Sequence, residues 1–352
     1  MIEMSEGKYE RMRRLSNEDG IINAAAMDQR GSLFKRLSQA KDIEISEVTN
    51  EMMEEFKEAI SQVLTPHASA ILLDPEWGQP GMDVRADGSG LVVSYEKSGQ
   101  NRRYGDIYTH SLPAKMKELM PDWSVKRTVE LGGDAVKLLV YYHPEEDELY
   151  QDQKKAMVER VGAECAHYEI PFFLEFVGFD AYGDSDWKTD PDLAEEKPAV
   201  VKESIAEFSK NTYNVDVLKV EIPVNMKFVE GTDSYVGENA AYDRDEALEH
   251  YQDAADVAQK PFIFLSAGVN AEEFRESLRL ANESGIDWNG VLCGRATWQD
   301  GIAEYADGGQ DALIKWLEDD GVENIRAMND IIFEGACAWY DAYGGRDNIN
   351  VI

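Results

Sequence analysis

Short, nearly continuous apolar runs alternate with longer stretches whose apolar residues recur at helical spacing. The runs occupy residues 21–27, 70–74, 91–95, 134–142, 171–177, 215–223, 261–266 and 290–294. Helical spacing between them predicts helices over 45–64, 125–131, 145–168, 199–211, 244–258 and 271–284, with a helical remainder to about 343. Runs without polar alternation are those of parallel strands covered on both faces. Eight of them in strand–helix order predict an α/β fold, a single (β/α)8 TIM barrel. An open doubly wound sheet is the alternative, weakened by the lack of a GxGxxG fingerprint after the first strand. No linker composition marks a second domain, so residues 1–352 read as one barrel domain. Long segments follow three strand ends, around 75–90, 178–198 and 225–243. In a barrel such loops build the catalytic face.

Three of the runs carry an ionisable residue in their interior: Lys137, Glu175 and Lys219. An unpaired charge inside an apolar strand costs on the order of several kcal/mol, so packing does not explain them. Together they predict a common polar centre. A desolvated lysine beside another cation loses its proton readily and becomes a nucleophilic amine, the chemistry of a Schiff-base enzyme. Lys137 reads either as that second cation or as a phosphate ligand, and Glu175 is suited to moving protons. Asp28, Asp74, Glu76, Glu221, Ser266 and Arg295 lie at other strand ends. Strand alternation puts Lys219 and Glu221 on one face, so Glu221 also reads as the partner of a structural lysine. Any one of these residues alone is equally a structural ion pair; the set together argues for a site.

The last two strands close on Ser266-Ala267-Gly268 and Gly294-Arg295-Ala296. Barrel phosphate sites use the loops after these strands, where glycine permits close backbone approach and arginine binds phosphate oxygens bidentately. Two ordinary glycine turns are the alternative. Asp28-Gln29-Arg30 after the first strand reads as a contact to substrate hydroxyls or to a second phosphate, or as a turn with a salt bridge.

Composition narrows the function classes. The formal charge of −34, from 69 acidic and 35 basic residues, disfavours nucleic acid and anionic membranes as partners. No apolar stretch approaches the roughly 20 residues of a membrane span, and the N-terminus lacks a signal-peptide pattern. Cys165, Cys293 and Cys337 are widely spaced and read as buried thiols of a reducing cytosol, hence a cytoplasmic protein. The five histidines show no metal-ligand spacing, and His143 reads as a solvated loop residue, so neither metal nor cofactor is expected.

The acidic residues spread along the chain. Each run, such as 145–148, reads as a solvated face, and their sum as adaptation to high salt, although lysine is not depleted relative to arginine. Self-repulsion at this charge weakens as the Debye length shrinks from about 10 Å at 0.1 M salt to about 3 Å at 1 M. The melting temperature is therefore expected to rise from low to molar KCl, measured by calorimetry. A flat or falling melting temperature would remove the high-salt reading.

The blocks Ala26-Met27-Asp28-Gln29-Arg30-Gly31, Leu72-Leu73-Asp74-Pro75-Glu76-Trp77-Gly78, Val136-Lys137-Leu138-Leu139-Val140-Tyr141-Tyr142, Phe172-Phe173-Leu174-Glu175, Leu218-Lys219-Val220-Glu221-Ile222-Pro223, Leu265-Ser266-Ala267-Gly268 and Cys293-Gly294-Arg295-Ala296 resemble the tagatose 1,6-bisphosphate aldolase family of class I aldolases. The similarity spans about residues 8 to 340. It implies a Schiff base on Lys219 with Glu175 as proton-transfer partner, assisted by Asp28 and Lys137. It places a phosphate at Ser266, Ala267, Gly268, Gly294 and Arg295, with Gln29 and Arg30 as further substrate ligands. The implied reaction is cleavage of D-tagatose 1,6-bisphosphate to dihydroxyacetone phosphate and glyceraldehyde 3-phosphate. Sulfofructose 1-phosphate and fructose 1,6-bisphosphate are alternative substrates, because the acidic loops 180–198 and 225–243 depart from the family. A non-catalytic regulator that binds a sugar phosphate is the alternative of another class, and a homo-oligomer is compatible with the sequence.

Overall fold

The computed structural model describes residues 1–99, 101–103, 114–183, 185, 189–237 and 239–352. Eight parallel strands close into a barrel: β1 (Ile22–Met27), β2 (Ala70–Leu73), β3 (Gly90–Ser94), β4 (Ala135–Tyr141), β5 (Phe172–Val177), β6 (Val217–Glu221), β7 (Phe262–Leu265) and β8 (Gly290–Cys293). Each pairs with its neighbours in sequence, and β8 closes the ring on β1.

The apolar runs are continuous because each strand is buried twice. Val136, Leu138 and Val140 of β4 and Phe172, Leu174 and Phe176 of β5 pack outward, in the layer between sheet and helices. Ala24, Ala26, Ala70, Leu72, Val92, Ala135, Phe173, Val217, Ile263 and Leu292 fill the barrel interior. This interior plug occupies the N-terminal part of the strands, so inward positions nearer the C-terminal ends are left for other chemistry. The helix Glu6–Arg14 closes the N-terminal mouth, contributing Met12 to the plug. Lys8 pairs with Asp216 just before β6 at 2.7 Å, and Arg14 with Asp134 just before β4 at 2.7 Å.

The long segments hold more structure than their composition suggests. A helix Gln79–Val84 lies within 75–90, and a 3-10 turn Met226–Phe228 within 225–243. The helix expected over 199–211 begins at Pro191, capped by the Asp190 side chain, so the loop after β5 is shorter than 178–198. Pro198 lies inside that helix. Proline has no N–H for the carbonyl four residues back. The Tyr242 hydroxyl donates to that carbonyl, of Ala194, instead. A distant tyrosine makes this proline tolerable, which local spacing could not reveal. The C-terminal remainder divides into Arg295–Trp298, Gly301–Trp316 and Val322–Gly335. Among the described residues no helix is long and apolar enough to cross a membrane.

Candidate active site

Strand register assembles the centre. Glu175 of β5 lies opposite both Leu139 of β4 and Lys219 of β6. Lys137, two residues before Leu139, shares its inward face one layer deeper and pairs in register with Ser94 of β3. The three ionisable residues of the apolar runs therefore meet inside the barrel, just above the plug.

They form a closed ionic network. One oxygen of Glu175 lies 2.9 Å from the Lys219 ammonium and 2.9 Å from that of Lys137. Lys137 also contacts Asp28 at 2.9 Å and Glu96 at 2.6 Å. The second Glu96 oxygen accepts from the Leu139 N–H at 3.1 Å. Burial alone would push Lys137 toward neutrality, but Asp28, Glu175 and Glu96 outweigh it and hold its pKa well above the ordinary value. Burial would likewise raise Glu175 and Asp28, yet Lys137 and Lys219 hold both carboxyls below their usual range. Lys137 is thus a fixed cation with three anionic partners. Lys219 has one ion-pair partner among the described residues, and it shares that partner with Lys137.

A cavity of about 450 Å³ opens above this network. Lys219, Glu175 and Glu221 line it, with Gln29, Ser266, Ala267, Gly294 and Arg295. The Glu221 carboxylate accepts from the Gly178 N–H at 2.7 Å. Gly268 faces an adjoining cavity of about 210 Å³ that shares Ser266 and Ala267. It is in the left-handed region at φ 79°, and a Cβ there would lie 2.3 Å from the Arg295 guanidinium. A Cβ on Gly294 would lie 2.6 Å from the Ala26 carbonyl. Both glycines therefore keep Arg295 and the β1 end packed tightly. Burial and the neighbouring Arg36 lower the Arg295 pKa, while Glu175 and Asp28 act in the opposite direction.

Several residues stand elsewhere than expected. Arg30 is not on the cavity wall. Its guanidinium is spent on Glu76 at 3.0 Å and on the Glu96 carbonyl at 2.5 Å, tying together the ends of β1, β2 and β3. Lys137 and Asp28 do not line the cavity either, so the phosphate-ligand reading of Lys137 falls. Asp74 is fully buried against Lys57 at 2.6 Å. His143 is buried rather than solvated, its Nδ1 accepting from the Glu145 N–H at 3.1 Å. Cys165 and Cys293 are buried thiols, whereas Cys337 is only half-buried. Among the described residues no cluster of potential metal ligands occurs.

With this geometry in view, the family model of the DeoC/LacD family aldolases matches residues 22–300. The chain belongs to the DeoC/LacD aldolase family. Tagatose 1,6-diphosphate aldolase of Listeria monocytogenes serotype 4a (strain HCC23) is 46% identical over 352 residues, covering 100% of this chain and 99% of that protein. Tagatose 1,6-diphosphate aldolase 2 of Enterococcus faecalis (strain ATCC 700802 / V583) is 45% identical over 341 residues, covering 97% and 98%. The protein is an aldolase, a lyase of carbon–carbon bonds, and falls within the tagatose 1,6-bisphosphate aldolase group that its motifs resemble. Among solved structures, fructose-bisphosphate aldolase of Plasmodium falciparum shares the fold with a TM-score of 0.70 at 13% identity, over 94% of this chain and 95% of that one.

The site also brings together residues that sequence reading passed over. Glu96 lies two residues past β3 and reads as a loop acid, yet it supplies two of the network's contacts. Lys57 sits on the buried face of the helix Asn50–Leu64. Its ammonium donates to the Met27 and Gln29 carbonyls at 2.8 Å each, fixing the turn that carries Asp28 and Gln29. A lysine at an apolar position of that helix was the available signal. Lys115 and Tyr141 line the cavity on the β4 side.

Proposed function

We propose that this aldolase cleaves D-tagatose 1,6-bisphosphate to dihydroxyacetone phosphate and glyceraldehyde 3-phosphate through a Schiff base on Lys219. The supporting observation is the asymmetry between its two central lysines. Lys137 is locked as a cation by three carboxylates, whereas Lys219 has one and faces the cavity. The Lys219 amine adds to the C2 ketone, and Glu175, within hydrogen-bond reach, takes the amine proton and returns it to the departing hydroxyl. The resulting protonated imine accepts the electrons of the C3–C4 bond as the C4 hydroxyl loses its proton. Glyceraldehyde 3-phosphate leaves, the enamine is protonated at C3, and water releases dihydroxyacetone phosphate. Lys137 keeps Glu175 oriented and ionised between turns of proton transfer.

Ser266, Ala267, Gly268 and Arg295 hold the C1 phosphate in this reading, and Gln29 and Gly294 complete that wall. Arg295→Ala is expected to weaken dihydroxyacetone phosphate binding by about 1.5–3 kcal/mol, the scale of a charged hydrogen bond. Isothermal titration measures it, and an unchanged affinity would place the phosphate elsewhere. The relatives at 45–46% identity are tagatose 1,6-diphosphate aldolases, which supports this choice of sugar. A coupled cleavage assay with tagatose 1,6-bisphosphate, fructose 1,6-bisphosphate and sulfofructose 1-phosphate tests it. Cleavage confined to sulfofructose 1-phosphate would reassign the substrate while leaving the chemistry in place.

A further inference from the structure

We infer that Lys57 is a positioning residue for the aldol reaction: with Asp74 it fixes the turn after β1 and, through that turn, the Asp28 carboxylate and the Gln29 amide. The inference rests on the Schiff-base reading above and extends it to a pair that never meets the cavity. Lys57 and Asp74 are both without solvent exposure and pair at 2.6 Å. An ammonium has three N–H donors. Lys57 directs one at Asp74 and the others at the Met27 and Gln29 carbonyls, at 2.8 Å each. These carbonyls belong to the residues on either side of Asp28. β1 ends at Met27, so the barrel ladder does not place Asp28 and Gln29. Lys57 does so from the helix layer.

Packing supplies no reason for this lysine. It lies on the face of the helix Asn50–Leu64 that buries Met53, Phe56, Ile60 and Leu64. Replacing a buried ion pair by apolar residues of similar volume is often neutral or stabilising, so stability alone does not explain a charge there. What the pair adds is geometry. The other Asp74 oxygen accepts from the Glu76 and Trp77 N–H groups at 3.0 Å each, and Glu76 in turn holds Arg30 at 3.0 Å. One buried pair thus ties the end of β1 to the end of β2. Both side chains that the turn carries bear on the reacting centre. Asp28 contacts Lys137 at 2.9 Å, one of the three carboxylates around that lysine. Gln29 lines the cavity, and a Cβ on Gly294 would lie 3.1 Å from its Nε2, so its amide rests against the wall that holds the phosphate in the reading above.

The test replaces the pair as a unit. Lys57→Met/Asp74→Asn removes both charges, strands no buried carboxylate and keeps an acceptor for the Glu76 and Trp77 N–H groups. Its kcat/KM for the ketose bisphosphate that the wild type cleaves is expected to fall about 30- to 100-fold, the scale of a misplacement of about 1 Å at a reacting centre. The same replacement is then made in Asp28→Asn/Gln29→Ala, where the groups presented by the turn are already gone. There it is expected to cost less than about threefold, because residues that act through one another are not additive. Equal fold losses in the two backgrounds would overturn the inference, since they would show that Lys57 supports the fold at large and not these two side chains. A loss below about threefold in the otherwise wild-type protein would overturn it too. Should the double replacement fail to fold, Lys57→Arg carries the same comparison, because a planar guanidinium fork cannot reproduce the three contacts of an ammonium. A loss that shrinks in the Asp28→Asn/Gln29→Ala background is again expected, and equal losses again overturn the inference. Borohydride trapping of dihydroxyacetone phosphate on the wild type keeps the two readings apart. An adduct on Lys219 together with equal losses defeats the Lys57 assignment alone, whereas no adduct defeats the Schiff-base reading and this inference with it.

Discussion

Lys219→Ala is expected to lose aldol cleavage by about four orders of magnitude or more, because covalent activation of the ketone disappears with the amine. In the wild type, sodium borohydride with dihydroxyacetone phosphate should reduce the imine and leave a stable adduct on Lys219, located by peptide mass spectrometry. Lys137 should stay unmodified. Its three carboxylate contacts at 2.6–2.9 Å keep it protonated, and a protonated amine has no lone pair to add to a carbonyl. A chelator should leave the rate unchanged. An adduct on Lys137, or full activity in Lys219→Ala, would overturn the mechanism; loss that zinc restores would point to metal-assisted cleavage instead.

Lys137→Met is expected to cost about 3–5 kcal/mol of stability at pH 8, the scale for removing one partner of a buried ion pair. It should also cost most of the activity. Asp28 and Glu96 would be buried without an ammonium, and Glu175 would depend on Lys219 alone. The pH dependence gives the sign. In the wild type Asp28 and Glu175 titrate below their unfolded values, near 4. Their contribution is present in full above that pH and is lost only as pH falls through the depressed folded values, so stability should be flat from pH 8 to 5.5 on their account. In the variant, burial and mutual repulsion raise the same carboxyls above their unfolded values, and protonation relieves them. Its stability should therefore rise as pH falls from 8 to 5.5, as urea unfolding at the two values would show. A loss under 1 kcal/mol, or a variant as flat as the wild type, would mean that the network does not rest on Lys137.

Much of this was legible in the chain itself. All eight barrel strands follow from apolar runs, because a parallel strand covered on both faces needs no polar alternation. Lys137, Glu175 and Lys219 stand out for the same reason: a charge in such a run has no packing explanation. Strand periodicity even predicts that Lys219 and Glu221 share a face, and both do line the cavity. The residues missed are those whose local context is ordinary. Glu96 and Lys115 sit in segments without periodicity, where a charged residue carries no signal.

The sequence by itself thus determined the strand–helix order, the inward positions on each strand and the ionisable residues that packing cannot explain. Only the tertiary structure decided which charges pair, because a residue's partner depends on where its strand falls around the closed ring. Lys137 gains Asp28 and Glu96 from β1 and β3 as well as Glu175 from β5, and that difference from Lys219 separates a fixed cation from a candidate nucleophile. The consecutive Gln29 and Arg30 show the same limit. Beyond the end of β1 strand alternation no longer applies, and Glu76 and Glu96, arriving from β2 and β3, draw Arg30 into the rim and leave Gln29 on the wall.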